Sequence, residues 1–180
     1  MANIADPYFK KALAFVLPEE GGWSNVPGDN GGPTMEGIIQ SEYDTWRREQ
    51  GQPLQSVRNI SDDERDEIYY DKYWIAGHCN GMPWPMAGVS FNIAVNAGIG
   101  EEIRVLKGVF GINDGTTQWT PALSNAIHTT MHPANMALAE ITRMDGFYQY
   151  LASHYPHDAQ FLRGWLNRDN AARQYFDLQS

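Results

Sequence analysis

Apolar positions in the first stretch of the chain recur at helical spacing. Phe9, Leu13, Val16 and Leu17 form one stripe that opens behind Asp6-Pro7 and runs to the next proline, Pro18. An aspartate cap followed by a first-turn proline is a good helix start, and the stripe supplies the face to be buried. The same periodicity predicts a short helix over Ser41 to Gln50. Ser61-Asp62-Asp63-Glu64 has the spacing of a capping box and opens a further helix through Ile68, Tyr69 and Tyr73. Ala87 to Ala97 reads as one largely apolar helix, rich in small residues. Helices over Glu101–Phe110, Thr120–Thr130, Pro133–His154 and Asp158–Phe176 complete the pattern, the last with a break near Asn167. Only the glycine-rich stretch from Gly21 to Glu36 reads as a small hairpin. The chain is therefore mostly helical, without internal repeats, low-complexity tracts or flexible linkers.

Within that hairpin stretch lies the densest chemistry. Glu19-Glu20-Gly21-Gly22-Trp23 ends the first helix, and Asp29, Gly31-Gly32 and Thr34 follow. Glu-Gly-Gly is also a common way to end a helix, and Asp-Asn-Gly-Gly is ordinary turn composition. Together they set a carboxylate, a flexible turn, a second carboxylate and a hydroxyl in an order that suits glycosidic cleavage. That reaction needs a proton donor on one side of the sugar and an anion or a held water on the other. Glu20, following an apolar helix, is expected to be partly buried and so able to keep its proton as the general acid. Asp29, in a polar turn, is expected to stay ionised, and Thr34 to help hold the attacking water.

The block from Glu20-Gly21-Gly22-Trp23 through Asp29 and Gly31-Gly32-Pro33-Thr34-Met35-Glu36-Gly37-Ile38 resembles the signature of glycoside hydrolase family 108, lysozyme-like N-acetylmuramidases. Phe91-Asn92-Ile93-Ala94-Val95-Asn96-Ala97-Gly98 is similar to that family's Ala-Val-Asn helix. Leu106-Lys107, Gly111, Asp114-Gly115 and Thr120 resemble the start of the peptidoglycan-binding segment that usually follows. Phe161-Leu162-Arg163-Gly164-Trp165-Leu166-Asn167-Arg168 is close to its most recognisable run. The chain departs from the pattern at Trp23, usually tyrosine; at Glu36, usually aromatic or basic; at Asn92, usually aspartate; and after Asp114-Gly115, where a glycine is missing.

The resemblance implies a mainly α, α+β lysozyme-like fold, with a catalytic domain over residues 1–110 and a packed helical peptidoglycan-binding segment over 111–180. It implies hydrolysis of the bond between N-acetylmuramic acid and N-acetylglucosamine, and the similar Glu, Asp, Thr order of family 24 phage lysozymes suggests inversion. A lytic transglycosylase, which needs one catalytic acid, and a non-catalytic wall-binding module remain as alternatives. Trp23, Tyr43 and Trp46 are the aromatic residues nearest the motif and are expected to stack on sugars. Asn96, an amide on an apolar helix, is expected either to bind an N-acetyl group or to satisfy a buried backbone group; Arg163 and Trp165 are expected either to extend the glycan site or to serve as a surface ion pair and core.

Composition narrows the partners. The chain of 180 residues carries a net charge of −9, which excludes nucleic acid as the expected ligand and points to recognition in a cleft. One cysteine, Cys79, permits no internal disulfide. Neither a metal nor an organic cofactor is expected: His128 and His132 lie four apart, but Pro133 breaks the helix there and no carboxylate completes a ligand set. The expected partner is the peptidoglycan glycan strand, met by a monomer with no stable membrane insertion. The start Met1-Ala2-Asn3 shows no leader, so the protein is expected to be made in the cytoplasm and to reach the periplasmic wall through a phage holin or another delivery system.

Overall fold

The computed structural model describes residues 4–25 and 32–178. Among them are eight α-helices and one two-stranded antiparallel sheet: α1 (Pro7–Glu20), β1 (Thr34–Met35), β2 (Ile38–Ile39), α2 (Gln40–Glu49), α3 (Asp62–Tyr69), α4 (Met86–Ala97), α5 (Ile99–Val109), α6 (Pro121–Thr129), α7 (Pro133–His154) and α8 (Leu162–Tyr175). This is the mainly α, lysozyme-like architecture that the sequence leads one to expect.

The centre is α4. Every residue from Met86 to Ala94 is buried, and α1, α5 and α7 pack around it. Its small residues permit this closeness. A Cβ built on Gly88 would lie 2.5 Å from the Phe176 ring and 2.9 Å from Trp84, so only glycine fits. Phe9, Trp74 and Phe91 meet edge to face beside it, with centroids 5.6–5.7 Å apart. Such aromatic pairs add to the area they bury. Asp6 fixes the entry to α1: Oδ1 accepts from the Tyr8 and Phe9 amides, while Oδ2 accepts the Trp74 indole N–H at 3.0 Å.

Residues beyond 110 pack onto the same centre. Helix α7 lies against α4 and α5, α8 lies against α7 and α1, and the Tyr175 hydroxyl donates to the Lys11 carbonyl oxygen at 2.9 Å.

Three local expectations are corrected. Helix α1 does not stop at Pro18 but continues through it, so Glu20 is the last helical residue rather than one beyond the end. A proline forfeits one backbone bond and crowds the preceding turn; the buried face from Phe9 to Val16 holds the helix regardless. The paired strands reach further than Glu36: Thr34 pairs with Ile39 and Met35 with Ile38, turning through Glu36-Gly37, and Ser24 bridges Thr34. The last helix breaks at Phe161, after a single 3-10 turn at Asp158–Gln160, and runs unbroken through Asn167. Arg168, Asp169 and Ala172 are buried there, and that packing outweighs the modest helix penalty of one asparagine.

Candidate active site

Glu20 ends α1 with its side chain 19% exposed, at the meeting point of four other elements. Arg168 arrives from α8, 148 residues away in sequence, and its Nη1 donates to Glu20 Oε1 at 2.9 Å. Arg168 Nε donates to Asn92 Oδ1, on central helix α4, at 2.8 Å. The hairpin turn closes over the other side. At Gly37, with φ +76°, an added Cβ would lie 3.0 Å from Glu20 Oε2 and 2.7 Å from the Tyr69 hydroxyl. Glycine thus serves twice here: it accepts the left-handed backbone and lets the turn pack against Oε2 and the Tyr69 hydroxyl without a clash.

Tyr69, on α3, is nearly buried, and its hydroxyl donates to the Glu36 carbonyl oxygen at 2.8 Å. Burial, followed by the neighbouring Glu20 charge, pushes its phenol far above its ordinary value, so it stays a neutral donor. The acidic departure at Glu36 is answered by Arg65, whose Nη1 lies 3.1 Å from Glu36 Oε2 and which also pairs with Asp62 and Asp66. A carboxyl with one oxygen held by a guanidinium and a side chain that still reaches solvent can exchange a proton with a molecule bound beside it.

The environment expected for Glu20, apolar burial, is not the one found. A cation from the far end of the chain stands beside it, and its side chain reaches solvent. Asp29 lies outside the described residues. Thr34 sits half-buried in β1, its hydroxyl donating to the Gly32 carbonyl oxygen at 3.1 Å. Trp23 is exposed, with the Arg58 guanidinium over its ring at 5.4 Å.

Tyr43 requires a correction. It is fully buried, and its hydroxyl is held by Glu64, Arg47 and Gln55, so it offers no face to a sugar. It belongs to a sealed network in which burial alone would lift the Glu64 carboxyl, but bonds from Ser61, Tyr43 and Arg47 outweigh that and hold it below its ordinary value. Trp46 stacks on Tyr43 at 6.3 Å and is almost buried too. Its remaining edge joins Ile39, Glu42, Ile68 and Lys72 in a groove of about 690 Å³ whose lining includes neither Glu20 nor Arg168. Asn96 Nδ2 donates to the Tyr148 hydroxyl at 2.5 Å, and Tyr148 stacks on Trp165 at 4.9 Å, so these two expected sugar contacts belong to one interhelical chain. Arg163 is exposed on α8, without an ion pair among the described residues.

The sequence pointed to Arg168 only as part of the C-terminal run and to Asn92 only as a departure from the family pattern; their pairing, and the places of Tyr69 and Gly37 beside Glu20, had not been expected. Asn92 carried a signal, as an amide in an apolar helix like Asn96; the meeting of Arg168 with Glu20 had no local signal at all. Among the described residues, no group of three or more histidine, cysteine or acidic side chains is placed to hold a metal ion, and no helix is long and apolar enough to cross a membrane.

Residues 13–98 match the family described as Glycosyl hydrolase 108, a span that contains Glu20, Thr34, Gly37, Tyr69 and Asn92 but not Arg168. The match supports a glycoside hydrolase. A solved structure described as "Structure of Brucella abortus SagA" is similar in fold, with a TM-score of 0.68 and 20% identity over 94% of each chain. No curated protein matched the sequence.

Proposed function

We propose that the chain is a peptidoglycan hydrolase, an N-acetylmuramidase in which Glu20 protonates the oxygen leaving N-acetylmuramic acid. The observation carrying this reading is the arrangement at Glu20: a partly exposed carboxyl at a helix end, one oxygen fixed by Arg168 and the other facing the Gly37 turn. The family match over residues 13–98 supports glycosidic cleavage as the reaction class. Thr34 lies in the strand that leads into that turn. Thr34 spends its proton on Gly32, which leaves the hydroxyl oxygen free to accept from a water. Asp29 completes the proposal as the anion that steadies charge on the sugar ring, with inversion as the outcome.

The substrate is the glycan strand of the bacterial wall, reached outside the cytoplasm through a delivery system such as a holin. Exposed Trp23, and Arg163 and Trp165 of the C-terminal segment, are the proposed outer contacts. Release of soluble glycan from dye-labelled sacculi tests the reading: the parent protein releases dye and Glu20→Gln does not. Asp29→Asn should lose more turnover than Thr34→Ala, since a lost charge acts directly on the transition state whereas another water can replace a hydroxyl. Undiminished release by Glu20→Gln would refute the assignment.

A further inference from the structure

Glu20 is held by Arg168, and what holds Arg168 is a residue with no contact to Glu20. Arg168 is a long, buried side chain, and ordering such a chain freezes several rotatable bonds. Its planar head leaves little choice once one nitrogen is fixed. Nε is fixed by Asn92 Oδ1 at 2.8 Å, and Nη1 then meets Glu20 Oε1 at 2.9 Å. Asn92 is only 2% exposed and sits within the most enclosed helix of the molecule, so water cannot take its place as the acceptor. With Oε1 occupied, the oxygen left for chemistry is Oε2, the one beside Gly37.

We propose that Asn92 is a positioning residue for Glu20: acting through Arg168, it fixes the orientation of the Glu20 carboxyl, one oxygen on the guanidinium and the other toward the bound strand. The proposal rests on Glu20 being the proton donor. The required property of Asn92 is an acceptor atom at a fixed place on α4, so an aspartate can replace it and a hydrocarbon of similar size cannot.

Two measurements on the full-length protein test this. In the first, Asn92→Leu should lower kcat on solubilised glycan strands about tenfold or more while KM stays within about twofold, because misplacement by about an ångström costs orders of magnitude in rate. Asn92→Asp should restore kcat to within about threefold of the parent. Arg168→Lys, which keeps the charge but has no fork, should fall with Asn92→Leu. The second measurement needs no activity. The Arg168 Nε–H signal in a proton–nitrogen spectrum, identified by its loss in Arg168→Lys, should exchange slowly in the parent and in Asn92→Asp and rapidly in Asn92→Leu. Unchanged kcat in Asn92→Leu, or a defect confined to melting temperature, would overturn the proposal. If Glu20→Gln proves active, the reading of Glu20 fails, and the spectrum alone then decides: loss of slow exchange in Asn92→Leu upholds the Asn92–Arg168 clamp, and an unchanged signal overturns it.

Discussion

The protein contains two carboxyl sites built in opposite ways. At the first, Glu20 lies partly exposed at a helix end, with a guanidinium on one oxygen and the glycine turn beside the other. At the second, Glu102 of α5 and Glu140 of α7 are fully buried with no cation beside them; the Ser90 hydroxyl donates to Glu140 Oε2 at 2.7 Å, and three of the four carboxyl oxygens have no hydrogen-bond partner among the described residues. Burial drives both Glu102 and Glu140 upward, Glu140 to about 8, and the proximity of Glu140 pushes Glu102 further. The nearby Cys79 thiol is raised by the same burial. The second pair keeps its protons better than any surface acid, yet no substrate can reach it. Retaining a proton is thus not enough to make a catalytic acid; a ligand must be able to reach the carboxyl.

The comparison is broken most forcefully at Glu20. Glu20→Gln should lower turnover by ~10²–10⁴-fold, the usual contribution of general acid catalysis, with little change in melting temperature. A loss of stability instead, with activity kept, would make Glu20 an element of the scaffold and erase the contrast.

The reverse pattern is expected at Glu140. The folded state holds this proton up to about pH 8, whereas the unfolded chain releases it near the ordinary glutamate value. Its contribution to stability is therefore full below about pH 4.5 and declines as pH rises to about 8, by roughly 1.4 kcal/mol per pH unit. Glu140→Gln, always neutral, should flatten this decline, melting several degrees above the parent at pH 8 and close to it at pH 4.5, with kcat unchanged. Parallel melting curves across that range would show that the pair is ionised or hydrated in the folded protein.

A smaller effect sharpens the boundary between site and core. Tyr43→Phe leaves Arg47, Glu64 and Gln55 short of a shared hydroxyl, so it should cost about 1–3 kcal/mol of stability. KM and kcat should not move; a rise in KM would restore Tyr43 as a sugar contact. Smallest of all, Arg163→Ala should leave the melting temperature unchanged. In a Glu20→Gln background it should weaken retention on sacculi by about twofold, as expected for an exposed charge. Full retention would confine recognition to the turn around Glu20.

Much of the fold was legible because its signals are local. The Ser61–Glu64 capping box forms both of its bonds, Pro133 to His154 is one helix with the bounds its pattern suggests, and the all-apolar run around Phe91 is the buried centre. The place of Glu20, at a helix end against glycines, was legible for the same reason. Tyr43 and Trp46 misled because nearness in sequence does not say which way a helix faces: three residues apart, they share the buried side of α2. The cation beside Glu20 was hidden because it is assembled by tertiary packing, between residues at opposite ends of the chain.

The most direct test of the central claim is the chemistry of the ends created in purified sacculi. Borohydride reduction followed by mass spectrometry of the released muropeptides should find reduced N-acetylmuramic acid at the new ends in the parent digest and no new ends with Glu20→Gln. Anhydro-muramic ends, reduced N-acetylglucosamine ends, or no released products from the parent protein would contradict the account.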